Sequence, residues 1–253
     1  MGNNMKALFD FMRWPTFRKK YKHLKSRIAN LEIVVDFLIN GPTYIDSEDD
    51  GYNGQAFRKI IFQDLLNEFG FEAIFETGTL AGSTAGYMAK SANVPIYTCE
   101  LNERFFALAK MRLKDIPNIH FNLCDSREFL KMMSEQVDRK ARIFIYLDAH
   151  WALDLPLKEE IEIICTSWDT FVIMIDDFKV PGDNGYGYDD YGRGRSLTLE
   201  NFGKVFNKYG LIPFFPALSS ADETCSKRGC VVLAKQGEIS ERLSKLQSIS
   251  LRS

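Results

Sequence analysis

The feature that most constrains the fold is a glycine-rich turn between a short apolar run and a helix-competent segment. The run Ala73–Phe75 ends in Glu76, the turn extends from Gly78 to Gly82, and residues 83–90 read S-T-A-G-Y-M-A-K. A strand, a tight glycine turn and a helix N-terminus together bring backbone N–H groups up to a ligand. The pattern therefore predicts an α/β fold with a ligand at this turn, although an ordinary strand-to-helix connection has the same pattern.

The spacing of the turn disfavours an NAD-dependent dehydrogenase. The dinucleotide fingerprint G-x-G-x-x-G needs glycine at position 80, where this chain has Leu80. The pattern E-x-G-x-x-x-G resembles motif I of the class I S-adenosylmethionine (SAM) dependent methyltransferases. The resemblance implies that a set of residues in and around the turn contacts SAM: Glu76, Thr77, Gly78, Thr79, Gly82, Ser83 and Thr84.

Four more apolar runs follow the turn, each ends in an acid, and helical segments separate them, as in an open parallel sheet. These runs and acids are 94–99 with Glu100, 119–124 with Asp125, 142–147 with Asp148, and 171–175 with Asp176 and Asp177. Two later runs, 211–216 and 229–234, add two strands, and residues 239–251 read as a surface helix. The resemblance implies a doubly wound, Rossmann-like, seven-stranded sheet in the order 3-2-1-4-5-7-6, with the last strand antiparallel.

Two of these strand-end positions bear on a nucleoside. Glu100 lies 22 residues beyond Gly78, where an acid in open α/β sheets accepts hydrogen bonds from ribose hydroxyls. The resemblance implies that Asp125, with Ser126, faces the adenine amino group. Either Asp125 or Ser126 also suits a helix N-cap, because its side-chain oxygen accepts backbone N–H bonds.

Three carboxylates after strands four and five predict a cation site. Adjacent strands lie ~4.8 Å apart, so Asp148, Asp176 and Asp177 are expected to meet at one edge of the sheet, where like charges need a proton or a cation between them. Oxygen ligands favour a hard ion such as Mg²⁺, with Mn²⁺ or Ca²⁺ as alternatives. The set resembles the metal triad of the catechol- and macrocin-type O-methyltransferases, which implies a Mg²⁺-dependent methyl transfer to a hydroxyl of a small molecule or sugar.

The chain departs from the catechol-type pattern at the catalytic base. Those enzymes carry a lysine three residues after the first metal aspartate, and Trp151 stands at that position here. His150 is the available substitute, because neutral imidazole suits proton removal from a hydroxyl acidified by a cation. A metal-associated role or a buried structural role for His150 stays open, and Asp148 is the other candidate base.

Residues 180–195 form the longest irregular stretch, with five glycines and three tyrosines. Long loops in compact domains tend to be lids or binding loops, so we expect this loop to contact the acceptor. The expected contacts are aromatic faces and guanidinium groups: Tyr186, Tyr188, Tyr191, Arg193 and Arg195. The loop also carries acids that we expect to be solvated: Asp183, Asp189 and Asp190.

Residues 1–42 read as a basic, amphipathic helical extension of a methyltransferase domain at 43–253. Seven apolar residues recur at alternating spacings of 4 and 3: Phe17, Tyr21, Leu24, Ile28, Leu31, Val35 and Leu38. Seven basic residues lie between positions 13 and 27 with no acid among them. A helix that packs on its own domain, a homo-oligomer contact and a peripheral contact with an anionic membrane all fit this pattern.

The composition of the chain limits the binding partners and the cellular setting that we expect for it. The net charge of −2 gives no global attraction to nucleic acid. No apolar run approaches the ~18 residues of a membrane span. The five scattered cysteines fit a reducing, cytoplasmic setting. The sequence thus predicts a SAM-dependent O-methyltransferase with a divalent cation; a related metal enzyme with another reaction, such as hydroxylation, and a non-catalytic assembly protein are the alternatives.

Overall fold

The structure is a computed structural model, and it describes residues 20, 21, 24, 28, 31, 35, 51–150, 154–192 and 194–252. The chain divides into two compact units, Met1–Asp46 and Ser47–Ser253. The predicted boundary between an extension and a domain at residue 42 stays a prediction. Among the described residues, no helix combines the length and the apolar character that crossing a membrane requires.

The six described residues of the first unit are all helical. Five of them belong to the apolar series of the sequence, and between 47% and 61% of each side chain is exposed: Tyr21, Leu24, Ile28, Leu31 and Val35. The other two members of the series, Phe17 and Leu38, lie outside the described residues.

The second unit alternates helices and strands in the predicted manner. A short 3₁₀ helix at Tyr52–Gly54 comes first, and the regular elements follow in chain order: α1 Ala56–Phe69, β1 Ala73–Thr77, α2 Ser83–Ser91, β2 Ile96–Glu100, α3 Glu103–Arg112, β3 Ile119–Leu123, α4 Ser126–Gln136, β4 Arg142–Leu147, α5 Leu157–Ser167, β5 Thr170–Asp176, α6 Leu199–Lys208, β6 Leu211–Pro216, β7 Cys230–Lys235, α7 Glu238–Leu243 and β8 Ile249–Ser250.

The described strands form one sheet in the order β3-β2-β1-β4-β5-β7-β6-β8. Strands β1 to β5 pair in parallel, and β7 pairs antiparallel with both β5 and β6. The predicted doubly wound α/β fold and its order 3-2-1-4-5-7-6 are confirmed. The carboxyl ends of β1 to β5 and the start of β7 therefore meet at one edge of the sheet.

The predicted C-terminal helix over 239–251 is wrong in its second half. The helix α7 ends at Leu243, and Ile249 and Ser250 form β8 on β6. Arg252 then donates hydrogen bonds to the carbonyls of Pro216 and Ala217. These contacts are distant in sequence, so local helical periodicity did not indicate them.

The sheet separates two hydrophobic clusters, because successive strand residues point to opposite faces. In β4, Ile143, Ile145 and Leu147 belong to one cluster, whereas Phe144 and Tyr146 belong to the other. All five side chains are at most 1% exposed. Helices cover both faces, which explains why the strand sequences are continuously apolar instead of alternating.

A pair of leucine substitutions tests this account of the core. Leu233 in β7 is fully buried, whereas Leu123 at the end of β3 is 46% exposed. We expect Leu233→Ala to lower the free energy of unfolding by about 2–5 kcal/mol, since it leaves a cavity in a packed core. The matched control Leu123→Ala should cost under about 1 kcal/mol. Urea unfolding followed by circular dichroism measures both, and equal losses would contradict the assignment.

Candidate functional site

The glycine turn lies against the end of β4, and this contact requires glycine at position 78. Gly78 has φ +88°, and a Cβ there would lie 2.5 Å from the carbonyl oxygen of Asp148. A side chain at position 82, where φ is +82°, would lie 2.7 Å from Leu113. The turn thus approaches β4 on one side and α3 on the other, more closely than any side chain permits.

Most backbone N–H groups of the turn bond within the chain. The N–H groups of Gly78 and Thr79 both donate to the carbonyl of Cys99 at 3.0 Å, and that of Gly82 donates to Thr79. The N–H of Leu80 donates to Glu100 Oε2 at 2.8 Å. For these four N–H groups the expectation that they face a ligand is wrong, because the chain itself accepts them, three of them at the end of β2. The N-terminus of α2 adjoins the turn.

Glu100 ends β2 next to the turn, as predicted. Its two carboxylate oxygens accept the N–H groups of Leu80 and Asn102, each at 2.8 Å. Leu80 has φ +47° and is 48% exposed at the tip of the turn. The acid therefore fixes the conformation of the turn and lies beside its exposed tip.

Glu76 lies in a buried polar network under the turn. It is 1% exposed and accepts a hydrogen bond from Thr98 Oγ1 at 2.5 Å, and Thr98 in turn contacts the hydroxyl of Thr79. Burial raises the pKa of Glu76 to about 8, although the bond from Thr98 opposes the shift. Its carboxyl group is therefore largely protonated at neutral pH and supports the turn from below.

The other predicted residues of the turn are also held by the chain. Thr77 is fully buried, and its carbonyl accepts the N–H of Asp148 at 3.0 Å. Thr84 Oγ1 accepts the N–H of Tyr52 at 3.1 Å, and Ser83 Oγ accepts from Arg112 at 3.3 Å.

Asp125 caps α4, which is one of the two roles that the sequence allowed. Its side chain accepts the N–H of Arg127 at 2.9 Å and two further bonds from the guanidinium of Arg127 at 2.8 and 2.7 Å. These bonds lower the pKa of Asp125. Ser126 is buried behind it. A contact of either residue with adenine stays a prediction.

Glu160 is a buried acid that the sequence analysis missed. It lies in α5, is 1% exposed, and interacts with Ser126 and Thr77. Burial raises its pKa to about 7, while the bonds from these two hydroxyl groups oppose the shift. Its position inside an amphipathic helix gave no local signal of burial.

The three predicted metal aspartates meet at the ends of β4 and β5, but Asp176 forms a buried ion pair. Its Oδ1 accepts from Arg58 Nη1, and both side chains are 1% exposed. The hydroxyl of Tyr146 donates to Oδ2 at 2.6 Å, and the N–H of Asp177 donates to Oδ1 at 2.7 Å. Burial opposes ionisation of Asp176, but Arg58 and Tyr146 outweigh it and hold its pKa below the usual range.

A second arginine, Arg228, joins Asp177 to Asp189. Its Nε donates to Asp177 Oδ1 at 2.5 Å, and its Nη2 donates to Asp189 Oδ1. Asp177 adopts a left-handed backbone with φ +53°, which is uncommon for a residue other than glycine and concentrates at functional sites. Burial and Asp176 raise the pKa of Asp177 to about 6, against the effect of Arg228.

His150 lies beside these acids, and its ring is buried. The residue is 6% exposed, and neither Nδ1 nor Nε2 has a hydrogen-bond partner among the described residues. The closest acid contact is from Nε2 to Asp189 Oδ2, at 3.9 Å. Burial lowers the pKa of His150, which favours the neutral ring. One ligand atom each of Asp148, His150 and Asp177 lies within 4.8 Å of the others.

The site carries an excess of negative charge. With every carboxylate ionised, the four carboxylates and two guanidinium groups at this place carry a formal charge of −2: Asp148, Asp176, Asp177, Asp189, Arg58 and Arg228. Burial, together with Asp176 and Asp177, raises the pKa of Asp148 well above its usual range. This charge is the amount that one divalent cation balances.

The loop at 180–195 folds along the same edge instead of projecting into solvent. The N–H of Asp189 donates to the carbonyl of Asp177 at 2.9 Å, and the N–H of Gly187 donates to the carbonyl of Lys227. Tyr191 donates to the carbonyl of His150 at 3.2 Å and also to Asp189. These bonds hold the loop against the sheet edge, and its contact with an acceptor stays a prediction.

The prediction that the loop acids are solvated fits Asp190, which is exposed, whereas Asp183 and Asp189 are partly buried; all three also have hydrogen-bond partners within the chain. Asp183 accepts from the N–H of Ser220 at 2.9 Å and from its hydroxyl, and Asp190 accepts from Ser196 at 2.5 Å. Asp189 is bound to Arg228 as described. These partners lie on other parts of the chain or on the far side of a turn, where sequence alone does not place them.

The loop tyrosines and arginines are placed differently from one another. Tyr186 is 2% exposed and donates to the carbonyl of Leu218, so it packs in the core. Tyr188 lies under the ammonium group of Lys179. Arg195 donates to the carbonyl of Tyr191 at 3.1 Å. Arg193 and Trp151 lie outside the described residues.

The solved structures that resemble this chain share its fold at low sequence identity. An O-methyltransferase from Bacillus cereus in complex with SAH superposes with a TM-score of 0.50 at 15% identity, over 82% of this chain and 90% of that one. The O-methyltransferase TomG from Streptomyces achromogenes is involved in tomaymycin synthesis and was solved with SAM. It superposes with a TM-score of 0.50 at 13% identity, over 71% of this chain and 80% of that one. The chain has the class I methyltransferase fold. No protein-family model and no curated protein matches its sequence.

Within this methyltransferase fold, Glu76→Gln tests the buried network. Glu76 has a raised pKa of about 8 against 4.5 in an exposed setting. The folded protein therefore holds an extra proton between these values, and its stability falls as the pH rises through this window. The glutamine variant lacks this titration. When the pH rises from 5 to 9, the difference in unfolding free energy between variant and wild type should therefore shift in favour of the variant by on the order of 3 kcal/mol.

Urea unfolding at several pH values, without SAM, measures the difference. The exposed acid Glu135 in α4 provides the control, because Glu135→Gln should leave the pH dependence unchanged. A constant difference between Glu76→Gln and wild type across this range would show that Glu76 titrates normally.

Proposed function

We propose that this chain is a SAM-dependent O-methyltransferase that uses a divalent cation. One observation carries the proposal: the glycine turn divides a single sheet edge into two parts. Glu100 and Asp125 follow β2 and β3 on one side, and Asp148 and Asp177 follow β4 and β5 on the other. In open α/β sheets, ligands bind outside the carboxyl ends of the strands where the strand order reverses, which is at β1 and β4 here.

The β2 and β3 side fits the nucleoside of SAM. Glu100 lies beside the exposed tip of the turn and has carboxylate oxygens that suit ribose hydroxyls. Gly78 and Gly82 let the turn pack directly against Asp148 and Leu113, which keeps the turn at the sheet edge beside Glu100. The reactive methyl group then belongs near the contact between Gly78 and Asp148, at the boundary of the two parts.

The β4 and β5 side fits the acceptor. A bound divalent cation lowers the pKa of a coordinated hydroxyl and holds the oxygen for attack on the methyl group. The formal charge of −2 at this place and the raised pKa of Asp148 support such an ion. His150 and Asp148 are the two groups at this place that suit removal of the hydroxyl proton.

The acceptor is proposed to be a small molecule, and a sugar is the preferred class. Tyr191 contacts the carbonyl of His150 beside the carboxylates, Tyr188 belongs to the same loop with Lys179 over one ring face, and Arg195 adds a guanidinium group. Aromatic rings suit the apolar faces of sugars, and a guanidinium suits phosphate or carboxylate. We therefore assign this loop to one side of the proposed acceptor site.

Cellular setting and assembly follow from other features. All five cysteines are free, which supports a reducing compartment and hence the cytoplasm. The exposed apolar residues between Tyr21 and Val35 support self-association through a helix, and the basic residues of the same segment support contact with an anionic membrane as the alternative.

The substitution Glu100→Gln tests the proposed binding of SAM. Loss of a charged acceptor for the ribose hydroxyls should weaken SAM binding by about 10-fold or more, as a charged hydrogen bond contributes about 1.5–3 kcal/mol. Isothermal titration calorimetry measures the dissociation constant. The control Glu135→Gln should bind SAM like the wild type. SAM binding that is equally tight in both variants would place the ribose elsewhere.

Transfer of a radiolabelled methyl group tests the reaction. We expect label to move from SAM to oxygen in a panel of vicinal diols, hydroxy acids and glycosides, and chelation to stop it. Asp148→Asn should lower the rate of methyl transfer by about 100-fold or more, because this carboxylate is both a proposed ligand of the cation and a candidate base. The exposed Asp222→Asn serves as control. Full turnover after chelation would contradict the cation, and transfer to nitrogen or carbon acceptors alone would contradict O-methylation.

A further inference from the structure

We propose that the cation ligands are Asp148, His150 and Asp177, and that the imidazole makes the site prefer a transition ion such as Mn²⁺ or Co²⁺ over Mg²⁺. This deepens the proposed function, on which it rests for the role of the ion. It differs from the oxygen-only triad in two ways. Asp176 is assigned to the scaffold, and His150 is assigned to the metal.

Asp176 is committed to other partners. Its two oxygens accept from Arg58, from the hydroxyl of Tyr146 and from the N–H of Asp177. Arg58 itself is fixed by the carbonyls of Arg228 and Gly229, at 2.5 and 3.0 Å. A cation at Asp176 would have to compete with the hydroxyl of Tyr146 at Oδ2 or with Arg58 at Oδ1, and it would lie beside the positive charge of a guanidinium that these carbonyls hold in place. Removal of one partner from a buried ion pair leaves an uncompensated charge, which is strongly unfavourable.

His150, in contrast to Asp176, is available to bind an ion. Its ring is buried, and both nitrogens lack partners among the described residues. Buried polar atoms in native proteins nearly always have a hydrogen-bond partner, and one without a partner in the chain points to another partner such as an ion. A neutral imidazole nitrogen with a free lone pair is among the commonest metal ligands in proteins. A cation between His150 and the carboxylates supplies the missing partner.

The distances suit a single ion. The three ligand atoms lie within 4.8 Å of one another. With bonds of ~2.1 Å, neighbouring ligands of an octahedral ion lie ~3.0 Å apart and opposite ones ~4.2 Å apart, so side-chain shifts of about 1 Å bring all three into the coordination shell. Arg228 binds Oδ1 of Asp177, which leaves Oδ2 for the ion.

The donor set decides which ion is preferred. Two carboxylates alone suit Mg²⁺, Ca²⁺ and Mn²⁺, whereas an imidazole favours later transition ions. One nitrogen and two oxygens therefore favour Mn²⁺ and Co²⁺ relative to Mg²⁺, in the general order of increasing affinity along the first row. Three protein ligands leave the remaining positions for an acceptor oxygen and water, and proton removal then falls to Asp148 and not to His150.

Metal binding to the full chain, without SAM or acceptor, tests the assignment. Protein stripped by a chelator is titrated with Mn²⁺, Co²⁺ and Mg²⁺ by calorimetry, and the visible absorption of bound Co²⁺ reports its ligands. We expect Mn²⁺ and Co²⁺ to bind at least 10-fold more tightly than Mg²⁺. His150→Ala should weaken Mn²⁺ and Co²⁺ by 10- to 100-fold and change the Co²⁺ spectrum. The matched control His120→Ala, at an exposed ring stacked on Tyr97, should change neither.

Two further variants keep the result independent of folding. His150→Asp replaces the nitrogen by oxygen, so binding should persist while the preference for Mn²⁺ and Co²⁺ over Mg²⁺ is lost. Asp176→Asn should lower the melting temperature through Arg58 and retain Co²⁺ binding with an unchanged spectrum. Metal affinity that survives His150→Ala, or a Co²⁺ spectrum altered by Asp176→Asn in folded protein, would overturn the assignment. SAM binding and methyl transfer are measured separately, so a chain that binds Mn²⁺ through His150 but transfers no methyl group refutes only the proposed function.

Discussion

The ion pair between Arg58 and Asp176 is the interaction on which the rest of the edge depends. It joins α1 to the end of β5, and Arg58 reaches the start of β7 through two carbonyls. The loss of either partner from such a buried pair costs roughly 3–5 kcal/mol. Glu223 and Thr224 strengthen the same junction, because they accept the first N–H groups of α1. The pair therefore fixes the scaffold on which the neighbouring carboxylates converge.

A second constraint is the closeness of the glycine turn to β4. Because a Cβ at Gly78 would clash with the carbonyl of Asp148, the cofactor turn and the first residue of the acid cluster share one contact surface. Glu76 and Glu100 hold this turn from below and from the side. Two chemically different parts of the edge are thereby kept a fixed distance apart, as a group transfer between them requires.

The sequence predicted the parts of this protein that local pattern encodes, and it missed the parts that depend on distant partners. Continuous apolar runs and the acids after them gave the strands and the strand-end positions of Glu100, Asp148 and Asp177. Asp176 was also located, but its commitment to Arg58 was not, since the two residues are 118 positions apart. The unpartnered ring of His150 is likewise visible only in three dimensions, because burial and the absence of a donor have no sequence signature.

Arg228 couples the carboxylates at the ends of β4 and β5 to the loop at 180–195. One guanidinium binds Asp177 on the cation side and Asp189 in the loop, and Tyr191 ties that loop to the backbone of His150. A charge placed on Asp177 changes the pull of the arginine on Asp189. If the proposed ion binds, its occupancy and the position of the loop are linked equilibria, in which each biases the other by the same free energy.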